Sequence, residues 1–150
     1  YGGACEIALA CDFRIGVTGM KMRMPPAALG LVYFAPGLKR LISRIGLSAA
    51  KRVLLTAEKL DAETLLEIGF LDRLVAPDQL AAETDALAAR IETLAPRAVE
   101  GMKRLLNDIA AGELDAEAAQ KTALESFRSE DAKEGIRAFK EKRTPRFTGR

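Results

Sequence analysis

Apolar and polar positions change their spacing along the chain, and each change marks a predicted element. Residues 5–11 form a dense apolar run typical of a helix. Residues 12–17 then alternate as a half-buried strand does, with Phe13, Ile15 and Val17 on one face. Residues 20–24 alternate Met with Lys or Arg and predict a second short strand. Its Met stripe indicates either core packing or an adaptable wall for an acyl chain.

The middle of the chain predicts short helices separated by glycines. Apolar residues recur at helical spacing over residues 38–45, and Gly46 predicts the end of that helix. Asp61 predicts the N-cap of a further helix, which Gly69 ends. Residues 71–75 then read as a short strand. We therefore expect two or three short strands in all.

From Pro77 onward every apolar pattern has helical spacing. Pro77 and Pro96 stand where helices are expected to begin, and Gly112 where one ends. Two more helices are predicted over residues 115–128 and 131–143. The sequence thus predicts an α/β fold with six or more helices, divided into a mixed part at residues 1–76 and a helical part at residues 77–150.

Composition narrows the function classes. The 150 residues are 49% apolar and 29% charged, as in a soluble globular protein. The net charge of +2 argues against a nucleic-acid surface but allows a local basic site for phosphates. Because no apolar run approaches about 18 residues, no membrane span is expected. We expect a cytoplasmic protein.

The absence of histidine makes carboxylates the default acid and base groups. No His is present, which argues against zinc sites and nucleophilic triads, and no metal is expected. Cys5 and Cys11 lie on one predicted helix, too far apart for an unstrained disulfide. We expect both to be free, buried thiols in a reducing compartment, with a reactive thiol as the alternative.

The first predicted helix carries the most informative carboxylate. Gly2 and Gly3 allow a sharp turn and close approach of a ligand, and Glu6 follows in the first turn. The first N–H groups of a helix lack intrahelical partners and suit a developing anion. Glu6 beside such donors is a candidate for acid/base chemistry on a carbonyl compound. The alternative is a solvated Glu that the helix dipole stabilises.

Four stretches together resemble one known family. Residues 2–15, GGACEIALACDFRI, are similar to the GGGCE-x-A-L-A-C-D-x-R-I signature of the crotonase (enoyl-CoA hydratase/isomerase) superfamily. Weaker similarity continues at residues 25–30 and 54–63, and the last stretch, SEDAKEGIRAFKEKR at residues 129–143, is again specific. The resemblance covers essentially the whole chain. It implies the C-terminal portion of a crotonase-like ββα spiral at residues 1–76, followed by a helical region at residues 77–150 for trimerisation and active-site cover.

The resemblance also implies a chemistry and a longer parent protein. The family acts on acyl-CoA thioesters, and two backbone N–H groups stabilise the enolate-like oxygen. By position Gly3 supplies one of these donors, while the other belongs to an upstream half absent from this chain. Glu6 matches the first of two family glutamates that activate water, and Gly2 contributes to substrate binding. Reversible hydration of a 2-enoyl-CoA is the reaction that this match favours.

One position departs from the family pattern. Pro26 stands where the second glutamate of the family is expected, and proline has no titratable group. A two-glutamate hydration therefore cannot operate unchanged, which leaves enoyl-CoA isomerase and acyl-CoA decarboxylase activities as alternatives. A CoA-binding module without chemistry and an inactive fragment also remain open. Glu63 and Glu67 are expected to be surface residues.

The tail implies a substrate contact and a homo-oligomer. Phe139 and Lys142 match family positions that contact CoA, often across a subunit interface. An exposed cation favoured by the helix dipole is the alternative for Lys142. The resemblance implies a trimer or a dimer of trimers, an acyl-CoA partner and neither nucleic acid nor membrane. No cofactor is expected, since coenzyme A is part of the substrate.

Overall fold

The computed structural model describes all 150 residues, and they form two compact units, residues 1–84 and 85–150. The boundary between residues 76 and 77 that the sequence predicts stays a prediction. The first unit begins with helix α1 and contains all the strands. Its elements are α1 (Gly3–Ala10), β1 (Ile15–Val17), β2 (Lys21–Met22), α2 (Ala35–Leu55), β3 (Leu60–Asp61), α3 (Ala62–Glu67) and β4 (Arg73–Val75), with 3-10 turns at Ala27–Leu29 and Pro77–Gln79.

The strands form two small pairs. β1 runs parallel to β4, with Gly16 opposite Leu74, and β2 runs antiparallel to β3, with Met22 opposite Leu60. Four strands are present instead of two or three. β3 was missed because it is two residues long and shows no alternation, and because its last residue, Asp61, reads as a helix cap.

The cap and the glycine stop predicted from the sequence are confirmed. Asp61 Oδ1 accepts a hydrogen bond from the Thr64 N–H at 2.9 Å, at the start of α3. Gly46 has φ 75° and ψ 166°, so α2 consists of two helical segments that meet at this residue. A side chain would be strained in this left-handed region, which explains the glycine.

The hydrophobic core of the first unit packs its three helices against its strands. The two methionines Met22 and Met24 are almost fully buried, which confirms core packing as their role.

The buried face of residues 12–17 differs from the face that the sequence predicts. Phe13 is exposed while Arg14 and Gly16 are buried, so the buried side of residues 12–17 is the side opposite to the apolar stripe.

The buried side chain of Arg14 forms hydrogen bonds with two loops and holds them together. Its Nη1 donates to the Cys11 carbonyl at 3.1 Å, its Nε donates to the Phe70 carbonyl, and its guanidinium pairs with Asp72 at 3.3 Å. The backbone N–H of Arg14 also donates to Asp72 Oδ2 at 2.7 Å. A buried guanidinium requires such partners, and these fix the approach of β4 to β1.

The second unit is helical, as the proline and glycine positions predict. α4 (Leu80–Glu92) leads into it, and it contains α5 (Pro96–Ala111), α6 (Ala116–Arg128) and α7 (Glu130–Glu141). Gly112 ends α5 with a left-handed φ of 71°, and Ser129 caps α7 by accepting from the Ala132 N–H at 3.0 Å.

The second unit leaves much of its apolar surface uncovered. Leu106, Ile109 and Phe127 are more than half exposed, and no residue of α5 or α6 is fully buried. A groove of about 820 Å³ lies between these two helices, and Met102 and Leu105 contribute to its lining. An apolar face of this kind is typical of a surface that another protein surface covers.

The chain end folds back on α7 through two carboxylates. Asp131, only 4% exposed, accepts from the Thr148 N–H at 2.7 Å and from the Gly149 N–H at 2.9 Å. Glu134 accepts a forked pair of hydrogen bonds from Arg143 at 2.6 and 3.0 Å, and one from the Arg146 N–H at 3.0 Å. The tail is therefore held by charge-assisted hydrogen bonds.

Two further expectations have clear outcomes. Both cysteines are free, but only Cys5 is buried, so the prediction of a buried Cys11 is wrong. Cys11 lies just beyond the end of α1, where its side chain turns outward. None of the helices is both long enough and apolar enough to cross a membrane.

We expect Glu134 to make the stability of the protein depend on pH. Hydrogen bonds from Arg143, Arg137 and the Arg146 N–H hold the pKa of this carboxyl well below its ordinary value of 4.5. Its stabilising contribution is therefore complete above about pH 4.5 and is lost as the pH falls further. Urea unfolding followed by circular dichroism between pH 3 and 7 measures this slope.

The Glu134→Gln variant should be less stable at neutral pH and should lose part of this acid dependence. Glu130→Gln is the matched control, since Glu130 lies on the same helix but is mostly exposed. An unchanged slope in Glu134→Gln would show that the tail contacts contribute no pH dependence.

Candidate active site at the start of the first helix

The first turn of α1 has the backbone geometry that the two glycines predict. Gly2 is its N-cap, with φ 54° and ψ −124°, a conformation that a residue with a side chain rarely adopts. The Gly2 N–H donates to the Arg23 carbonyl at 3.2 Å, which fixes the turn. Gly3 is the first helical residue, so its N–H has no acceptor within the helix. Its role as an oxyanion donor stays a prediction.

Glu6 lies in the first turn of α1 and is held by two side chains from outside the helix. The Tyr33 hydroxyl donates to Glu6 Oε2 at 2.9 Å, and Arg40 Nη1 forms an ion pair with Glu6 Oε1. The Glu6 side chain is 25% exposed. The side chain is therefore partly buried, and each of its carboxylate oxygens has a donor from outside the helix.

The segment from Tyr33 to Gly37 is shaped around this carboxylate. Gly37 is buried, and a Cβ placed on it would lie 2.5 Å from Tyr33 Cε1 and 3.0 Å from Glu6 Oε2. A glycine is thus required for the tyrosine ring to reach Glu6. Burial of the phenol, together with the hydrogen bond and the negative charge of Glu6, raises the pKa of Tyr33 to about 12.

Two arginines one helical turn apart on α2 contact the two ends of α1. Arg40 pairs with Glu6 in the first turn, and Arg44 Nε donates to the Leu9 carbonyl in the last turn at 3.3 Å. A cation at a helix C-terminus satisfies an orphan carbonyl and is favoured by the dipole. α1 is therefore fixed at both ends by the same neighbouring helix.

Pro26 lies in the same unit and is buried at the start of the 3-10 turn Ala27–Leu29. Its carbonyl accepts from the Leu29 N–H at 3.0 Å and from the Leu31 N–H at 2.9 Å. The turn ends at Gly30 in the left-handed region, with φ 71°. Pro26 thus fixes the loop that precedes Tyr33, and its side chain offers no polar group.

Phe139 and Lys142 lie in the second unit, where they share the last turn of α7 and its cap. Phe139 is 85% exposed. Lys142 adopts the left-handed conformation with φ 53°, at a cost of about 1–2 kcal/mol for a residue with a Cβ. The role of both residues in CoA binding stays a prediction.

Sequence reasoning missed three residues of the site, Tyr33, Gly37 and Arg40. They follow the 3-10 turn by several residues, and their spacing matches no pattern that we could assign from the sequence. Residues 31–46 contain one tyrosine but two arginines and a lysine, so the sequence does not distinguish Arg40 from its basic neighbours. Glu63 and Glu67 are exposed on α3, as expected. No cluster of three acidic, His or Cys side chains has the geometry of a metal site.

Comparison with known proteins agrees with this fold. The family model for enoyl-CoA hydratase/isomerase matches residues 1–150. A crotonyl-CoA hydratase from Syntrophomonas wolfei is 34% identical over 150 residues, and a short-chain-enoyl-CoA hydratase from Clostridium acetobutylicum is 33% identical over 144. The alignments cover 97% and 95% of this chain. They cover only 57% and 55% of those two proteins.

The solved structures give the same result. A crystal structure of an enoyl-CoA hydratase/isomerase family protein from Hyphomonas neptunium superposes with a TM-score of 0.90 at 35% identity, covering 99% of this chain and 57% of that one. The chain belongs to the enoyl-CoA hydratase/isomerase family. The predicted fold class, a portion of the crotonase fold with a helical region, is confirmed. The chain spans somewhat more than half the length of these relatives.

We expect Tyr33 to ionise at about pH 12, against 10 for an ordinary phenol. Because the pKa is higher in the folded state, the stabilising effect is complete below pH 10 and is lost as the pH rises towards 12. The difference in phenolate absorbance between the protein and its Tyr33→Phe variant isolates this residue during an alkaline titration.

The Glu6→Gln substitution should lower the midpoint of the Tyr33 titration part of the way towards 10. It removes the negative charge beside the phenol but leaves the phenol's burial unchanged. Circular dichroism recorded in parallel identifies any alkaline unfolding. An ordinary midpoint in the folded protein, or one that Glu6→Gln leaves unchanged, would contradict the contact.

Proposed function

We propose that the protein carrying this chain adds water reversibly to a 2-enoyl-CoA thioester. The observation that carries this proposal is the Glu6 carboxylate, held on the first turn of α1 beside the unpartnered N–H of Gly3. The names of the relatives, crotonyl-CoA hydratase and short-chain-enoyl-CoA hydratase, support the same reaction class.

In this proposal Gly3 and Glu6 have separate tasks. The Gly3 N–H hydrogen-bonds to the thioester oxygen and stabilises the negative charge that develops on it, an effect worth about two to three powers of ten in rate per donor. The second donor would come from a segment outside residues 1–150. Glu6 orients a water molecule and takes its proton as the water oxygen bonds to the β-carbon, and it then returns a proton to the α-carbon of the enolate. Residues 1–150 expressed alone are therefore expected to be inactive.

Pro26 favours a second candidate reaction. It is buried and apolar where the family pattern expects the second glutamate, so the site has one carboxylate in place of two. An enoyl-CoA isomerase or an acyl-CoA decarboxylase uses the same oxyanion hole and needs only one acid/base group, or none, for the chemical step. Substrates for both of these reactions therefore belong in the panel of acyl-CoA compounds used to assay the complete protein.

The same proposal covers the other candidate binding residues, the cofactor, the oligomeric state and the location of the protein. Gly2 and Pro26 shape the substrate loop, while Phe139 and Lys142 contact the CoA moiety, Lys142 as a point charge for a phosphate. Coenzyme A is part of the substrate and no separate cofactor takes part. The exposed apolar faces of α5 and α6 support a homo-oligomer, a trimer or a dimer of trimers. We place the protein in the cytoplasm.

Glu6→Gln in the complete protein should lower turnover of crotonyl-CoA about a hundredfold or more, because it removes the base while keeping the shape of the side chain. Steady-state hydration assays over a panel of 2-enoyl-CoA chain lengths measure the effect. Glu63→Gln is the matched control, since Glu63 also lies in the first turn of a helix but is exposed. Wild-type turnover by Glu6→Gln would make Glu6 a structural residue.

Pro26→Glu should raise crotonyl-CoA hydration if a second carboxylate is what separates this site from an ordinary hydratase. The substitution returns a carboxylate to the place the family pattern uses, although the loss of a fixed φ loosens the turn. Pro25→Glu controls for a carboxylate one residue away. A folded Pro26→Glu protein with unchanged hydration would show that the natural reaction does not need this group.

A further inference from the structure

The side chains of Tyr33 and Arg40 both direct their hydrogen bonds at the Glu6 carboxylate. Tyr33 donates to one of its oxygens and Arg40 to the other. The two donors approach from different elements, since Tyr33 precedes α2 and Arg40 lies within it. The carboxylate plane is thereby fixed by two points, which one hydrogen bond cannot do.

Holding α1 in place does not by itself require these contacts. Arg44 already ties α2 to the Leu9 carbonyl, and the apolar residues Leu9 and Leu41 are fully buried between the same elements. The Tyr33 ring packs closely over Gly37 whether or not it carries a hydroxyl. The hydroxyl and the guanidinium are thus directed specifically at the acid/base group.

We propose that Tyr33 and Arg40 are positioning residues that fix the orientation of the Glu6 carboxylate towards the reacting carbon. This inference rests on the proposed function of Glu6. With Pro26 in place of a second carboxylate, a single group has to orient the reactant, so its own orientation has a large effect on the rate. Misplacement of a catalytic group by about 1 Å can cost on the order of a hundredfold in rate.

The test uses Tyr33→Phe, Arg40→Lys and Arg40→Gln in the complete protein, each alone and combined with Glu6→Gln. Tyr33→Phe removes only the hydroxyl, and Arg40→Lys keeps the charge but loses the planar donor geometry. Arg52→Gln is the control. It removes an arginine from the same helix, where the residue forms a surface pair with Glu58.

We expect kcat to fall about tenfold in Tyr33→Phe and in Arg40→Lys and about a hundredfold in Arg40→Gln, with KM changed less than about twofold. Arg52→Gln should retain wild-type kcat. In the Glu6→Gln background the same substitutions should produce no further loss, because residues that act through Glu6 have nothing left to position. Circular dichroism confirms that each variant is folded.

The outcomes separate this inference from the proposed function. Unchanged kcat in Tyr33→Phe and in both Arg40 variants, with activity lost in Glu6→Gln, overturns the inference and leaves the function standing. Equal losses in both backgrounds overturn it too, because the residues would then act on the fold. A change confined to KM would make them substrate-binding residues and contradict positioning. Absence of wild-type turnover on every acyl-CoA in the panel overturns both proposals.

Discussion

A partly buried carboxylate has to be paired, and in this chain the pairing of Glu6 determines which residue types surround the first turn of α1. The ion pair with Arg40 links α1 to α2, and the hydroxyl of Tyr33 donates a hydrogen bond to the other carboxylate oxygen. Gly37 has to lack a side chain for that hydroxyl to arrive. One charged group thus dictates the residue types of three positions that lie far from it in sequence.

The same constraint operates twice more in the molecule. Arg14 is buried, and its need for acceptors brings two loop carbonyls and the carboxylate of Asp72 together beside the β1–β4 pair. Asp131 is buried in the second unit, and its need for donors draws the N–H groups of Thr148 and Gly149 onto α7. At each place the chain geometry follows from satisfying a charge that the fold has removed from water.

Local rules predicted the features that depend on neighbouring residues. The Asp61 cap and the Gly46 stop follow from backbone sterics within a few positions, and both were predicted correctly. Features that depend on distant partners were not predictable. The packing of the α2 region against α1 decides which tyrosine and which arginine reach Glu6, and apolar spacing carries no information about that.

The left-handed glycine inside α2 separates two parts of this helix. Arg40 lies before Gly46 and faces the candidate site, whereas Val53 and Leu54 lie after it and are buried in the core. In one continuous helix, the face that carries Arg40 and the face that carries Val53 and Leu54 would share a single axis and could not be oriented separately. The break at Gly46 lets the two segments take different directions, so the segment with Arg40 is aligned with Glu6 while the segment with Val53 and Leu54 is aligned with the core.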